Sequence, residues 1–326
     1  MISCLLILLD FRLVRKKRLL IIGCGDVVQR ALPWLTQRFT VYATVRSAEK
    51  AIQLLTLGVH PIIADLDQRG SLKRIAGIAD YLIHSAPPGE GQGDARTKKL
   101  LAAISRPRGA QQHRAILSQP PRRAVYISTS GIYGDHQGVW IDETSPQCAT
   151  TARALRRISA ERQLRHWSIS QSLQASATQI SIVRAPGIYA LDRLPTARIE
   201  RGDPGLIVTE DSVSNHIHAD DLARAVCLAL FRGLPQRAYN IVDDEPHAMS
   251  TWFDQVADFT GLPRVGRISR AQAQQQLSPV MLSYLNESRQ IANQRAKREL
   301  RWRLRYPTTD VFFLQNKGMY IATTKY

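Results

Sequence analysis

From Arg18 onward the chain switches between two hydrophobic periods. Leu19-Leu20-Ile21-Ile22 is a short unbroken apolar run, as expected of a parallel strand buried on both faces. A glycine turn and a helical pattern over Val27–Arg38 follow. Then come a strand at Thr40–Val45, a helix at Ala48–Leu57, and strands at His60–Ala64 and Tyr81–His84. A helix over Thr97–Ile104 leads to a strand at Ala124–Ser128. This β-α alternation predicts an α/β fold with a doubly wound parallel sheet.

The second half is less regular. Helices are expected at Thr151–His166, Ala219–Phe231 and Thr251–Thr260, with strands at Ile180–Arg184 and Ala238–Val242. Ala271–Gln276 and Asn293–Leu300 read as short polar helices, and prolines at 186, 195, 204, 235 and 263 punctuate the region. The expected organisation is an N-terminal extension (1–17), a dinucleotide-binding domain (18–184) and a small substrate lobe (185–310). The lobe is expected to return to the sheet near 214–243, and a C-terminal tail (311–326) follows it.

The chemistry concentrates at the first turn. Gly23-Cys24-Gly25-Asp26-Val27-Val28 follows a strand and opens a helix, the setting in which a glycine motif cradles a dinucleotide pyrophosphate in a Rossmann fold. Gly23 permits the turn and Gly25 lets the backbone approach the ligand. The helix N-terminus, at Asp26 and Val27, supplies free N–H groups. Val28 departs from the motif, which has Gly or Ala there. After the second strand, Ala43-Thr44-Val45-Arg46-Ser47 lacks the acid that would hold a ribose 2′-hydroxyl. Arg46 and Ser47 are therefore expected to clamp a 2′-phosphate, making NADP(H) the expected cofactor, with NAD as the alternative. Asp65 and Leu66 are expected to border the adenine. His84, Ser85, Ala86 and Pro87 are expected to pass the nicotinamide ribose.

With these residues placed, the chain resembles the short-chain dehydrogenase/reductase superfamily, and within it the extended branch of NAD-dependent epimerases and dehydratases. The resemblance runs from about Arg18 to Pro307. It is carried by Ser128-Thr129-Ser130-Gly131-Ile132-Tyr133-Gly134, Asp142-Glu143-Thr144-Ser145-Pro146, Arg184-Ala185-Pro186-Gly187-Ile188-Tyr189, His218-Ala219-Asp220-Asp221-Leu222-Ala223 and Tyr239-Asn240-Ile241-Val242. The resemblance implies that Thr129, with Ser130, contacts the substrate oxygen and that Pro186 lies at the cofactor. It also implies a Tyr-x-x-x-Lys pair, and here the sequence departs. Counting back from Glu161 puts Arg157 at the lysine position and Arg153 at the tyrosine position. Arg157 keeps the charge for a ribose contact, but a guanidinium at 153 cannot exchange a proton. Tyr133 and Tyr189 are the candidate replacements, each equally readable as a packing residue. His218 reads as structural. His216 stands where relatives often carry a phosphate-binding Arg.

The expectation is therefore an NAD(P)-binding oxidoreductase or epimerase acting on a small polar, sugar-linked substrate. The alternative is a catalytically impaired NADPH-binding sensor or scaffold. Composition changes this picture little. The net charge of +17 over 326 residues comes from arginines scattered through helical stretches, such as Arg153, Arg156, Arg157, Arg162 and Arg165, without a nucleic-acid-binding signature. They read as a solvated basic surface that favours phosphorylated ligands. Cys4, Cys24, Cys148 and Cys227 show no paired spacing, which fits a reducing cytoplasm, and no metal site is expected. Met1–Leu9 is apolar but too short to span a bilayer, and its charges follow rather than precede it, so neither stable membrane insertion nor a secretory signal is expected. The expected partners are a small-molecule substrate and a second copy of the chain in a homodimer.

Overall fold

The computed structural model describes residues 16–105, 120–172 and 178–320. Seven parallel strands form the central sheet: β1 (Lys17–Ile22), β2 (Phe39–Val45), β3 (His60–Ile63), β4 (Tyr81–His84), β5 (Arg123–Thr129), β6 (Gln179–Ala185) and β7 (Arg237–Asn240). Their spatial order is β7-β6-β5-β4-β1-β2-β3. This is a doubly wound Rossmann sheet. The strand order reverses between β1 and β4, which leaves a crevice outside their carboxyl ends.

Each strand of this sheet has two faces to bury, and the sequence supplies both. In β1, Leu19 and Ile21 enter one core with Val28, Leu32 and Leu222. Leu20 and Ile22 enter the opposite core with Leu82, Leu100 and Leu164. A strand with a side-chain period of two can do this only if it is apolar throughout. Helices α1 (Asp26–Arg38) and α6 (Ala219–Arg232) supply residues to the first core, and α3 (Ala95–Ile104) and α4 (Ala152–Ser172) to the second. The two remaining early helices, α2 (Ala48–Thr56) and α5 (Thr196–Glu200), lie after β2 and β6.

The expected helix at 151–166 extends to Ser172, because Trp167 is buried and donates to Ser105 Oγ on the neighbouring turn. After β6 the chain forms a short strand, Gly187–Tyr189, that pairs in parallel with His216–His218, and it rejoins the sheet at β7. Among the described residues, three small cores sit outside the sheet, one of them around Ile132, Tyr133 and Ile158. A second gathers Tyr189, Ile199, Trp252, Phe253 and Phe312, and the third Leu206, Ala273 and Leu285. Phe312 lies in the helix Thr309–Gln315 and is fully buried, so the described part of the expected tail up to that point is packed structure. Asp221 ties this C-terminal region to the start of α6 by accepting hydrogen bonds from the backbone N–H of Arg305 and Tyr306. Of the N-terminal extension, residues 1–15 lie outside the described residues. No helix among the described residues is long and apolar enough to cross a membrane.

Candidate active site

Backbone geometry builds the crevice between β1 and β4. Ser85 and Ala86 both donate their N–H to Ile22 O, at 2.9 and 3.0 Å. This draws the chain leaving β4 across the turn that leaves β1. Gly23 has φ +84°, and a Cβ there would lie 2.7 Å from Ala86 N. Both the dihedral and the space therefore demand glycine. Gly25, the residue before α1, is different. Its φ is −84°, and a Cβ there would meet nothing within 4 Å. Open space thus lies in front of a helix end that no side chain caps. A dinucleotide pyrophosphate fits this cradle: anionic, reached by backbone N–H groups, and favoured by the helix dipole.

The side chains around the turn have their own tasks. Val28, where the motif has Gly or Ala, is buried in the core with Leu19 and Ile21, so its bulk is accommodated between helix and strand. Cys24 is buried, and burial pushes its thiol up to about 11. Asp26 does not face a ligand alone. Its carboxylate accepts from Arg30 and from Arg193, whose Nη1 lies 2.8 Å away. Asp26 thereby offers a backbone N–H to a ligand while its charge is neutralised by two arginines.

At the end of β2, Arg46 is exposed and makes no hydrogen bond or ion pair among the described residues. Ser47 caps α2, its hydroxyl accepting from Lys50 N at 3.3 Å. Lys50 lies close enough to Cys24 to act on it electrostatically. It joins Arg46 as a second cation near the turn that sequence reasoning missed, although it stands three residues after Ser47. Asp65 accepts from Asp67 N at 2.8 Å in a local turn, and Leu66 is buried beside it in the second core.

His84 is not presented to the crevice. It is buried, its Nε2 lies 3.0 Å from Thr97 Oγ1, and its ring packs on Tyr126. Burial, assisted by the Arg157 charge, holds its pKa down to about 3. Alternation along β4 explains this, because His84 points to the α3/α4 side with Leu82. Of the four residues expected at the nicotinamide ribose, Ser85, Ala86 and Pro87 remain at the strand end.

Beyond the strand ends lies a cleft of about 710 Å³ lined by Pro87, Pro88, Thr129, Ser130 and Pro186 on the sheet side. Thr129 Oγ1 accepts from Gly131 N at 3.2 Å, which fixes the hydroxyl at the mouth of β5. Arg157 also lines the cleft. Its guanidinium donates to Ile127 O at 2.8 Å and to Tyr126 Oη at 3.0 Å, which pins it against β5. Thr129, Ser130, Arg157 and Pro186 thus line one cleft. A second cavity, of about 510 Å³, lies at Asp244, Lys297 and Arg301, among a different set of residues.

The two candidate replacement tyrosines do not reach the cleft. Tyr133 is fully buried, donating to Asn240 Oδ1 at 2.7 Å and accepting from Arg184 at 2.8 Å. Burial raises its pKa to about 12. Tyr189 is buried among His216, His218, Trp252 and Phe312, and burial raises it further. Both are packing residues. Tyr284, which sequence reasoning passed over, does line the cleft: its hydroxyl accepts from Arg153 Nη1 at 2.5 Å. Arg153, Arg156 and Arg157 all face the cleft, joined by Arg198 and Arg289 from distant segments. The arginines of α4 that read as a solvated face are therefore partly site residues. The spacing of three and four was the available signal for the first three.

Glu161 is not in the cleft but beneath it. It forms a buried bidentate pair with Arg184, at 3.2 and 2.8 Å. His218 caps α6, its Nδ1 accepting from Asp220 N at 3.2 Å, which fits the structural role read from the sequence. His216 lines the cleft but is stacked on His247 and packed against Trp252, with its pKa lowered by burial. No cluster of three or more His, Cys, Asp or Glu able to hold a metal occurs among the described residues.

Comparison with known proteins follows this geometry. The model of the NAD dependent epimerase/dehydratase family matches residues 25–242. A 3-diazoavenalumate denitrifying reductase from a Streptomyces species is 24% identical over 312 residues, covering 89% of this chain and 97% of that protein. A conserved protein of unknown function from Silicibacter pomeroyi superposes with a TM-score of 0.75 at 27% identity, over 95% of this chain and 100% of that one. The UDP-glucose 4-epimerase of Thermotoga maritima, solved with UDP-glucose, gives 0.67 at 16% identity, over 91% and 99%. The UDP-glucuronic acid 4-epimerase of Bacillus cereus, solved with NAD, gives 0.66 at 16% identity, over 93% and 100%. With its glycine turn, its strand order and a family match spanning most of its length, this chain belongs to the NAD-dependent epimerase/dehydratase family.

Proposed function

We propose that the protein is an NADP(H)-dependent oxidoreductase acting on a small polar organic substrate held in the cleft beyond β4, β5 and β6. The observation that carries this reading is the adjacency of the two sites: Gly23 lies against Ala86, and the next residue, Pro87, lines the cleft together with Thr129 and Ser130. The bound nicotinamide supplies or accepts a hydride at its C4 carbon. The protein holds the pyrophosphate on the backbone N–H groups of Asp26 and Val27. It meets the 2′-phosphate with Arg46, the N-terminus of α2 and Lys50. Arg157 presents fixed positive charge to the ribose side, and Thr129 with Ser130 orients the substrate oxygen. The streptomycete relative is named a reductase, which favours reduction over epimerisation.

Titration of NADPH and NADH against wild type and Arg46→Ala tests the cofactor. NADPH is expected to bind more tightly, and the variant to lose about 10- to 100-fold of that affinity, the worth of a charge-assisted hydrogen bond. Equal wild-type affinities for the two nucleotides refute the clamp. Stopped-flow absorbance with nucleotide sugars, aldehydes and ketones tests turnover.

A second reading, an NADPH-binding sensor or scaffold without turnover, is favoured by Arg153 at the position of the family tyrosine and by the burial of Tyr133 and Tyr189. It predicts NADPH binding with turnover at background for every compound. Substrate-dependent NADPH oxidation rules it out.

A further inference from the structure

We propose that the cleft takes an organic anion with a flat apolar body, its carboxylate or phosphate held by Arg153 and Arg156. This names the substrate class of the site above and rests on the oxidoreductase reading only for where the reacting carbon lies.

The charge balance of the cleft points this way. Five arginines line it against a single acid, Glu287. That acid is already engaged by Arg289, at 2.9 Å. Arg157 is held by neutral acceptors on β5. Arg198 lies over the Phe253 ring at 4.0 Å, donates to Pro204 O, and keeps a buried Nε without a partner; burial pulls its pKa down. Arg289, itself nine-tenths buried, also keeps its Nε unpartnered. Arg153 lies over the Tyr284 ring at 4.4 Å and, among the described residues, its side chain is bonded only to that hydroxyl. Arg156, half-buried in the wall, has no hydrogen bond or ion pair among the described residues.

Gathering cations around one space without counter-charge is unfavourable, because like charges repel and each loses part of its hydration. Bringing an anion into that space offsets both costs. Guanidinium is the side chain whose planar fork of donors matches a carboxylate or a phosphate. Arg153 and Arg156, three residues apart on one helix, present two such forks without an acid to occupy them. Part of the remaining wall is apolar: Trp252, Phe253, Met249 and Met281 line it beside Ser214 and Asn215, and His216 packs on Trp252 with its pKa pushed down by burial. Aromatic and thioether surfaces of this kind pack against a planar body. A single small molecule fits the volume. On this account Arg153 does not replace the family tyrosine as an acid. It turns that position into an anion site, with the Tyr284 hydroxyl steadying it from the lobe.

Isothermal titration of the full chain, with and without saturating NADP+, tests the proposal with three probes: trans-cinnamate, its neutral amide and phenyl phosphate. One anion at least is expected to bind about tenfold or more tightly than the amide. Arg153→Gln and Arg156→Gln are each expected to remove most of that preference, and Arg153→Lys to keep part of it. Circular dichroism melts establish that the variants are folded, and a double Arg153→Gln, Arg156→Gln chain that melts like wild type provides the test if a single change perturbs folding. The tighter of the two anions identifies the head group. Equal binding of anions and amide, binding by none of the three, or full anion preference in both folded variants overturns the proposal. Titration of NADPH in the same preparations separates it from the cofactor reading, since anion selectivity without NADPH binding defeats only the latter.

Discussion

The cofactor crevice and the substrate cleft lie side by side at the strand ends, but they are built differently. The crevice is made of backbone. Its shape follows from the carbonyl of Ile22 accepting two N–H groups from the chain leaving β4 and from two glycines with opposite constraints. The cleft is made of side chains delivered by α4, by the segment around Arg198, by His216, and by Trp252, Tyr284 and Arg289. A site made of backbone depends on a few residues close together in sequence, so it tolerates divergence everywhere else. A site made of side chains from several segments can be rewritten one residue at a time.

The largest effect expected from this difference lies under the cleft. Glu161→Gln leaves Arg184 buried without its counter-charge, facing only neutral acceptors such as Tyr133 and the Glu143 carbonyl. Urea denaturation is expected to show a loss of about 3–5 kcal/mol. A loss under 1 kcal/mol would mean that the side-chain framework is not what supports α4 on the sheet. The two glycines come next and should behave oppositely. Gly23→Ala is expected to cost about 1–3 kcal/mol of stability through its positive φ and the contact with Ala86. Gly25→Ala is expected to leave stability within about 0.5 kcal/mol, since its Cβ points into open space, while weakening NADPH binding. Equal behaviour of the pair would break the backbone account of the crevice.

A further effect is on pH dependence. His84 in the folded chain titrates at about 3, lowered by burial and then by Arg157. A histidine in the unfolded chain titrates near about 6.5. Below that pH the unfolded chain binds a proton that the folded chain refuses. The contribution is complete above pH about 6.5 and is lost as pH falls towards 3, by about 1.4 kcal/mol per unit. His84→Gln keeps a partner for Thr97 but does not titrate, so its stability curve should fall less steeply between about pH 6 and about pH 4. Parallel acid limbs for the two proteins would show that His84 is solvated.

The sequence by itself determined the sheet, the crevice and their polarity. Unbroken apolar runs such as Leu19–Ile22 in β1 and Ala124–Ile127 in β5 can only be buried on both faces, and the alternation of such runs with helices leaves few topologies. The glycine turn and the absence of an acid before Ser47 are local features, legible because their consequences act within a few residues. The packing of Phe312, the burial of Tyr133 and Tyr189, and the direction of His84 were decided only by the tertiary structure, because each depends on which elements cover that position. The cleft belongs to the same class. Arg153, Arg156 and Arg157 share a helix face that the sequence shows. Arg198, Tyr284 and Arg289 have no local pattern in common, and the charge they create together exists only once the segments after β6 fold back over the strand ends.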